Sequence, residues 1–192
     1  LQWVFDYSIR LFMSFNILVI AFIPFVFKLM VDIKYIEAYN LIALYLLSVS
    51  SNLFTGLVSP IYQVNQQTKK IANSTVLAAV INVSTHLTLI KYIGIYAAPV
   101  AAILGNYTVA FFRVYDIRKN FFRFYLSKSL IYSLVLTYIF LIGSYYSNNQ
   151  LINFITLIYC CLYVLYLNKR LIKNLFAYID EKYKLCNLIK WI

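Results

Sequence analysis

The chain has 192 residues, 63% of them hydrophobic and only 12% charged, with a mean hydropathy of +0.77. A soluble domain carries about 25% charged residues, so this composition excludes an ordinary water-soluble globule and points to lipid as the solvent. The net charge of +11 would suggest nucleic acid in a soluble protein. Here the basic residues stand at the ends of apolar runs, with no aromatic–basic recognition module, so membrane lipids and not nucleic acid are the expected partners.

Four glycines and three prolines leave little turn material, which argues for long helices and against a β-barrel. A membrane-spanning helix needs about 20 apolar residues. The charges divide the chain on that scale. The first run is Leu11–Phe27, extended by Leu29–Val31 and carrying Pro24. The second lies in the uncharged stretch Ala38–Thr68, with its apolar part near Ile42–Tyr62 and Pro60 near its end. The third is Ile71–Ile90 and the fourth Tyr92–Phe112. Ser129–Asn168 is uncharged throughout, but Ser147-Asn148-Asn149-Gln150 cuts it into a terminal hairpin of two spans, over 125–168. Residues 169–192 are basic and aromatic and predict an amphipathic tail on the inner membrane surface.

The expectation is an all-α, polytopic transmembrane bundle of about six spans. Numbering the connections alternately places 14 basic residues on one side: Arg10, Lys69, Lys70, Arg113, Arg118, Lys119, Arg123, Lys128 and the six of the tail. Three lie on the other: Lys28, Lys34 and Lys91. Basic residues concentrate in cytoplasmic loops, so both termini are expected in the cytoplasm. Residues 1–35 lack the small-residue cleavage site of a signal peptide. Leu1 in place of a methionine suggests a processed or partial product.

Within the spans, polar residues fall in stripes. Ser48, Asn52, Thr55 and Ser59 share one face of the second, and Thr75, Ala79, Asn82 and His86 one face of the third. The fourth carries Ala97, Ala101 and Gly105 on one strip and Ala98, Ala102 and Asn106 beside it, a small-xxx-small packing surface. Pro99 stands in its first turns, where a lost backbone bond costs least. Polar groups inside lipid need a partner or water. Asn52, Asn82, His86 and Asn106 are therefore the candidates to line a hydrated substrate cavity, against the alternative of hydrogen-bonded packing between helices. Lys28, Lys91 and Arg113 stand near span ends, from which they are expected to snorkel outward, and Lys28 and Asp32 have the i,i+4 spacing of a surface pair. Cys160, Cys161 and Cys186 are too few and badly spaced for a metal site or a disulfide framework. No catalytic constellation, metal site or cofactor is expected, and the chain does not read as an enzyme.

Several motifs occur in order: Tyr35-Ile36-Glu37-Ala38-Tyr39 after the Pro24 span, a helix end at Gln66-Gln67-Thr68-Lys69-Lys70, Ala78-Ala79-Val80-Ile81-Asn82-Val83, then Gly94-Ile95-Tyr96-Ala97-Ala98-Pro99-Val100-Ala101-Ala102, and Phe112-Arg113-Val114-Tyr115. This order, over residues 9–118, resembles the C-terminal lobe of bacterial polysaccharide flippases of the multidrug/oligosaccharidyl-lipid/polysaccharide exporter superfamily. Ala97 stands where that family more often has glycine. The resemblance implies transport: flipping of an undecaprenyl-diphosphate-linked oligosaccharide across the cytoplasmic (inner) membrane, for capsule or lipopolysaccharide biosynthesis. It also implies a missing N-terminal half of the same protein as partner, which would supply the cations that hold the diphosphate. A cation-coupled multidrug exporter of the same superfamily would favour carboxylates inside the bundle. A membrane polymerase or glycosyltransferase would need a long outer loop, and those near 28–37, 91–94 and 147–150 are short. A helix bundle that transports nothing is the remaining alternative.

Overall fold

A backbone in hydrocarbon must satisfy its own polar groups, and a helix does so within one segment. In the computed structural model, which describes residues 2–121, 125, 127–147 and 149–174 (the side chains of 28, 33 and 36 excepted), the apolar runs are all helical. Six α-helices appear among the described residues: α1 (Gln2–Met30), α2 (Ile36–Val64), α3 (Thr68–Ile93), α4 (Ala97–Asn120), α5 (Lys128–Tyr146) and α6 (Gln150–Leu167). Five stretches are long and apolar enough to cross a membrane. One of them, the 53-residue stretch Thr68–Asn120, turns back on itself through a short 3-10 turn at Gly94–Tyr96 and so contains both α3 and α4.

Turn chemistry fixes the breaks. Gly94 has φ of 55° and ψ of −128°, a backbone conformation that costs glycine little and a side chain much. Ser127 accepts a hydrogen bond from the Leu130 amide at 3.2 Å, and Asn149 one from the Leu151 amide at 3.0 Å. Each thereby satisfies a free donor at its helix start. Pro24 and Pro60 lie inside α1 and α2, which run continuously past them. Of the basic tail, 169–174 is helical after a turn at Asn168; its expected continuation over 175–192 lies outside the described residues.

Two boundaries differ from those expected. Helix α1 begins nine residues before Leu11, because Asp6 and Arg10 neutralise each other at 3.1 Å one turn apart and the charge does not end the helix. Helix α4 likewise continues beyond Phe112 to Asn120. The expected Lys28–Asp32 pair involves a side chain outside the described set; Asp32 itself lies 3.6 Å from Lys34.

Helix α4 is the centre of one half of the molecule. It runs parallel to α2, with Ser48 against Asn106 and Tyr62 against Asp116. It runs antiparallel to α3, with Ile71 against Arg113. The strip Ala97–Ala101–Gly105 is buried, and a Cβ on Gly105 would lie 3.1 Å from the Ala78 carbonyl oxygen and 3.2 Å from Asn82 Cβ. The small residues of α4 thus let two backbones approach closely, as their spacing predicts. In the other half, Ile9, Met13, Ile17 and Ile20 of α1 meet Leu134, Tyr138 and Leu141 of α5 and Cys160 and Leu167 of α6 in one core. A smaller core of Phe5, Val58, Tyr62 and Ile117 joins α1, α2 and α4.

Candidate functional site

The two polar stripes run along α2 and α3 and end on a residue of α4. Arg113 is only 6% exposed. Its Nε donates to Ser74 Oγ at 2.8 Å, its Nη1 to Ser59 Oγ at 3.0 Å, and its Nη2 to Thr75 Oγ1 at 2.8 Å and the Ile71 carbonyl at 3.1 Å. A guanidinium has five N–H donors, so these four contacts leave little of it unused. Ser59 and Thr75 are the terminal members of the α2 and α3 stripes. Their hydroxyl protons go elsewhere, Ser59 to the Thr55 carbonyl and Thr75 to that of Ile71. The oxygen lone pairs remain free to accept from the arginine. Arg113 therefore points inward at α2 and α3 and does not snorkel to the interface, correcting the expectation for it.

Among the described residues no carboxylate lies within ion-pair distance of Arg113. The nearest acid along α4, Asp116, is held by others. It accepts from Tyr62 Oη at 2.8 Å and Asn120 Nδ2 at 2.7 Å, and pairs with Lys70 Nζ at 3.0 Å. Burying a cation without its counter-charge is costly; here dipoles replace the carboxylate, and the positive field is left uncancelled.

A second polar cluster sits deeper between the helices. Asn106 Nδ2 donates to Ser48 Oγ at 2.8 Å, joining α4 to the α2 stripe. Ser50 and Tyr107 share a hydroxyl contact of 2.6 Å. Asn16 of α1 donates to the Leu46 carbonyl at 3.2 Å and accepts from Tyr138 Oη at 2.8 Å.

The other candidates are placed apart. Asn82 is half-buried and packs on α4 at Gly105. His86, one turn further along α3, is also half-buried. Asn52 is exposed and lines a groove of about 570 Å³ between α1 and α2, the only one of the four candidates on its wall. Among the described residues the side chains of Asn52, Asn82 and His86 make no hydrogen bond. Asn106 is thus a packing contact in this conformation, and the other three retain unused hydrogen-bonding groups.

Arg113, Ser74, Asn16, Tyr62 and Tyr138 belong to these clusters but were not among the sequence candidates. Asn16 was legible as a polar residue in mid-run. Arg113 was masked by its role as a run boundary, and its partners lie 38 to 54 residues away along the chain. No protein-family model, curated protein or solved structure matches the chain.

Proposed function

We propose that this chain is one lobe of a flippase that moves a lipid-linked oligosaccharide across a bacterial cytoplasmic membrane. On this reading α1 to α6 make six crossings, and the 14-to-3 basic asymmetry puts both termini in the cytoplasm. The observation that carries the reading is the convergence of two polar stripes on an uncompensated cation inside an apolar bundle. A carrier-lipid diphosphate needs charge-assisted partners in a low-dielectric cavity. Arg113 contributes positive field on this chain, while its N–H groups are engaged by α2 and α3, so further cations that bind the diphosphate directly are still required. A second bundle is still required as the opposite wall, because alternating access rocks one bundle against another around a shared site. Asn52, Asn82 and His86 line the hydrated side of this lobe, where their unused groups meet water and sugar hydroxyls.

The test is complementation of a strain lacking its own flippase. The full reading frame restores surface polysaccharide, while His86→Leu with Asn82→Leu lowers export and leaves insertion intact. Full export by the double mutant would remove the cavity role of these residues. A full reading frame that reaches the membrane and restores nothing would overturn the flippase assignment. The second reading, a bundle that transports nothing, is favoured by the Asn106–Ser48 bond and by the near-complete solvation of Arg113 within the protein.

A further inference from the structure

We propose that a small cavity between α1, α5 and α6 binds one ordered water molecule, which supplies the hydrogen bond that Pro24 withholds from α1. The inference rests on the packing of these three helices and is independent of any transported substrate. Every residue on the cavity wall is buried, among them Ile20, Pro24, Ser144, Asn153 and Thr156. Its volume is about 10 Å³, which is at the lower limit for one water and too small for a larger ligand. Proline has no N–H, so the carbonyl four residues back, that of Ile20, loses its helical donor. Helix α1 nevertheless runs past Pro24 without a break. On the α6 side stands Asn153, only 9% exposed, whose side-chain amide has no hydrogen-bond partner among the described residues.

The pattern of donors and acceptors decides the occupant. Ser144 Oγ gives its proton to the Leu141 carbonyl at 2.9 Å, and Thr156 Oγ1 gives its own to the Ile152 carbonyl at 2.8 Å. Both hydroxyls therefore have only lone pairs left to offer. The Ile20 carbonyl likewise only accepts. Asn153 can also donate, through Nδ2. A water molecule matches this set. It donates to the Ile20 carbonyl and to a hydroxyl oxygen and accepts from Asn153 Nδ2, the three bonds usual for a buried water. A monovalent cation would meet oxygens but no counter-charge, since no acidic side chain lines the cavity, and its lost hydration would stay uncompensated. An empty cavity would leave a buried amide unpaired, which folded proteins avoid. The water thus ties α1 to α5 and α6 at the level of Pro24.

The chain, reconstituted in lipid nanodiscs, is exposed to a brief X-ray pulse. The pulse converts bound waters to hydroxyl radicals that oxidise the side chains beside them, and mass spectrometry maps the oxidation. Ile20 and Leu141 line the cavity, whereas Ile17 and Leu134 are buried residues of the same two types that are not on its wall. Oxidation of Ile20 and Leu141 exceeds that of Ile17 and Leu134 several-fold, and does so equally in sodium and in choline buffer. The excess disappears in Asn153→Leu and in Asn153→Val, scored in whichever keeps the helix content of the unaltered chain by circular dichroism. Equal oxidation of the two pairs in the unaltered chain, or an excess that survives loss of the amide, would overturn the proposal. An excess seen only in choline would do the same, by assigning the cavity to sodium.

Discussion

Arg113 only donates, and the atoms it meets only accept; this gives its mutations an asymmetry. Ser74 and Thr75 send their own protons to the Ile71 carbonyl, so deleting the arginine strands no donor. Replacing a buried ion by an apolar side chain of similar volume is often neutral or stabilising. Arg113→Met is therefore expected to change unfolding free energy by less than about 1 kcal/mol. The converse pair, Ser74→Ala with Thr75→Val, strands guanidinium donors in a low-dielectric site and costs about 3 kcal/mol. Steric-trapping or denaturant titrations in bicelles measure both. Equal losses in the two variants would mean that Arg113 contributes as packing volume and not as a buried charge. At the same scale, Gln66 has φ of 55°, in the left-handed region where a side chain costs about 1–2 kcal/mol. Gln66→Gly is expected to raise the melting temperature by relieving it.

At the scale of elements, α3 and α4 approach closely at Gly105. Gly105 has no room for a methyl group without movement of the α3 backbone. Gly105→Ala is expected to destabilise the pair by about 1–3 kcal/mol, in the range of overpacked cores, and Gly105→Leu to separate the helices. Loss of a disulfide engineered across α3 and α4 near this level would report that separation. This crossing was legible in the sequence, because the Ala97–Ala101–Gly105 spacing states it. That the long apolar runs are helical was legible for a similar reason, since uncharged runs of about 20 residues have few other uses. Helix ends were less so. Charge was taken as a boundary, whereas Asp6 with Arg10 and Arg113 with its hydroxyls carry charge inside helices. The stripes of α2 and α3 were also visible, but not what they share. Which residue of a third helix meets Ser59 and Thr75 is set by packing across the bundle, and local spacing holds no record of it.

At the scale of the molecule, contacts near one end of the bundle bring α1, α2, α4 and α6 together through Phe5, Tyr62, Ile117 and the Arg10–Leu167 bond. Among the described residues, most basic ones, including Lys69, Lys70, Arg113, Arg118 and Lys119, belong to the helix ends and connections on this side. The opposite end is closed by Phe27, Tyr39 and Tyr145, the two tyrosines stacked at 4.4 Å. With the native cysteines replaced, a cysteine at Ser147 is expected to react with an impermeant reagent in intact cells, and one at Lys119 only after permeabilisation. The reverse pattern would invert the topology.

The core around α1 has a consequence for biogenesis. Its buried face, from Ile9 to Ile20, shares a core with Tyr39 and Ala43 of α2 and with residues 130–167, which are made after α1 to α4. Polar contacts among α2, α3 and α4 can form earlier, while the Tyr39 and Asn40 carbonyls of α2 still await Tyr145 and Tyr146 of α5. A nascent chain that stalls after Asn120 therefore holds α2, α3 and α4 joined to one another beside an α1 whose face toward α5 and α6 is bare. Membrane quality-control proteases recognise such bare faces. Pulse-chase of a chain truncated after Asn120 should show a lifetime several-fold shorter than that of the full chain, by the same coupling of exposed surface to turnover that governs partly folded proteins. Supplying α5 and α6 as a separate polypeptide should lengthen it.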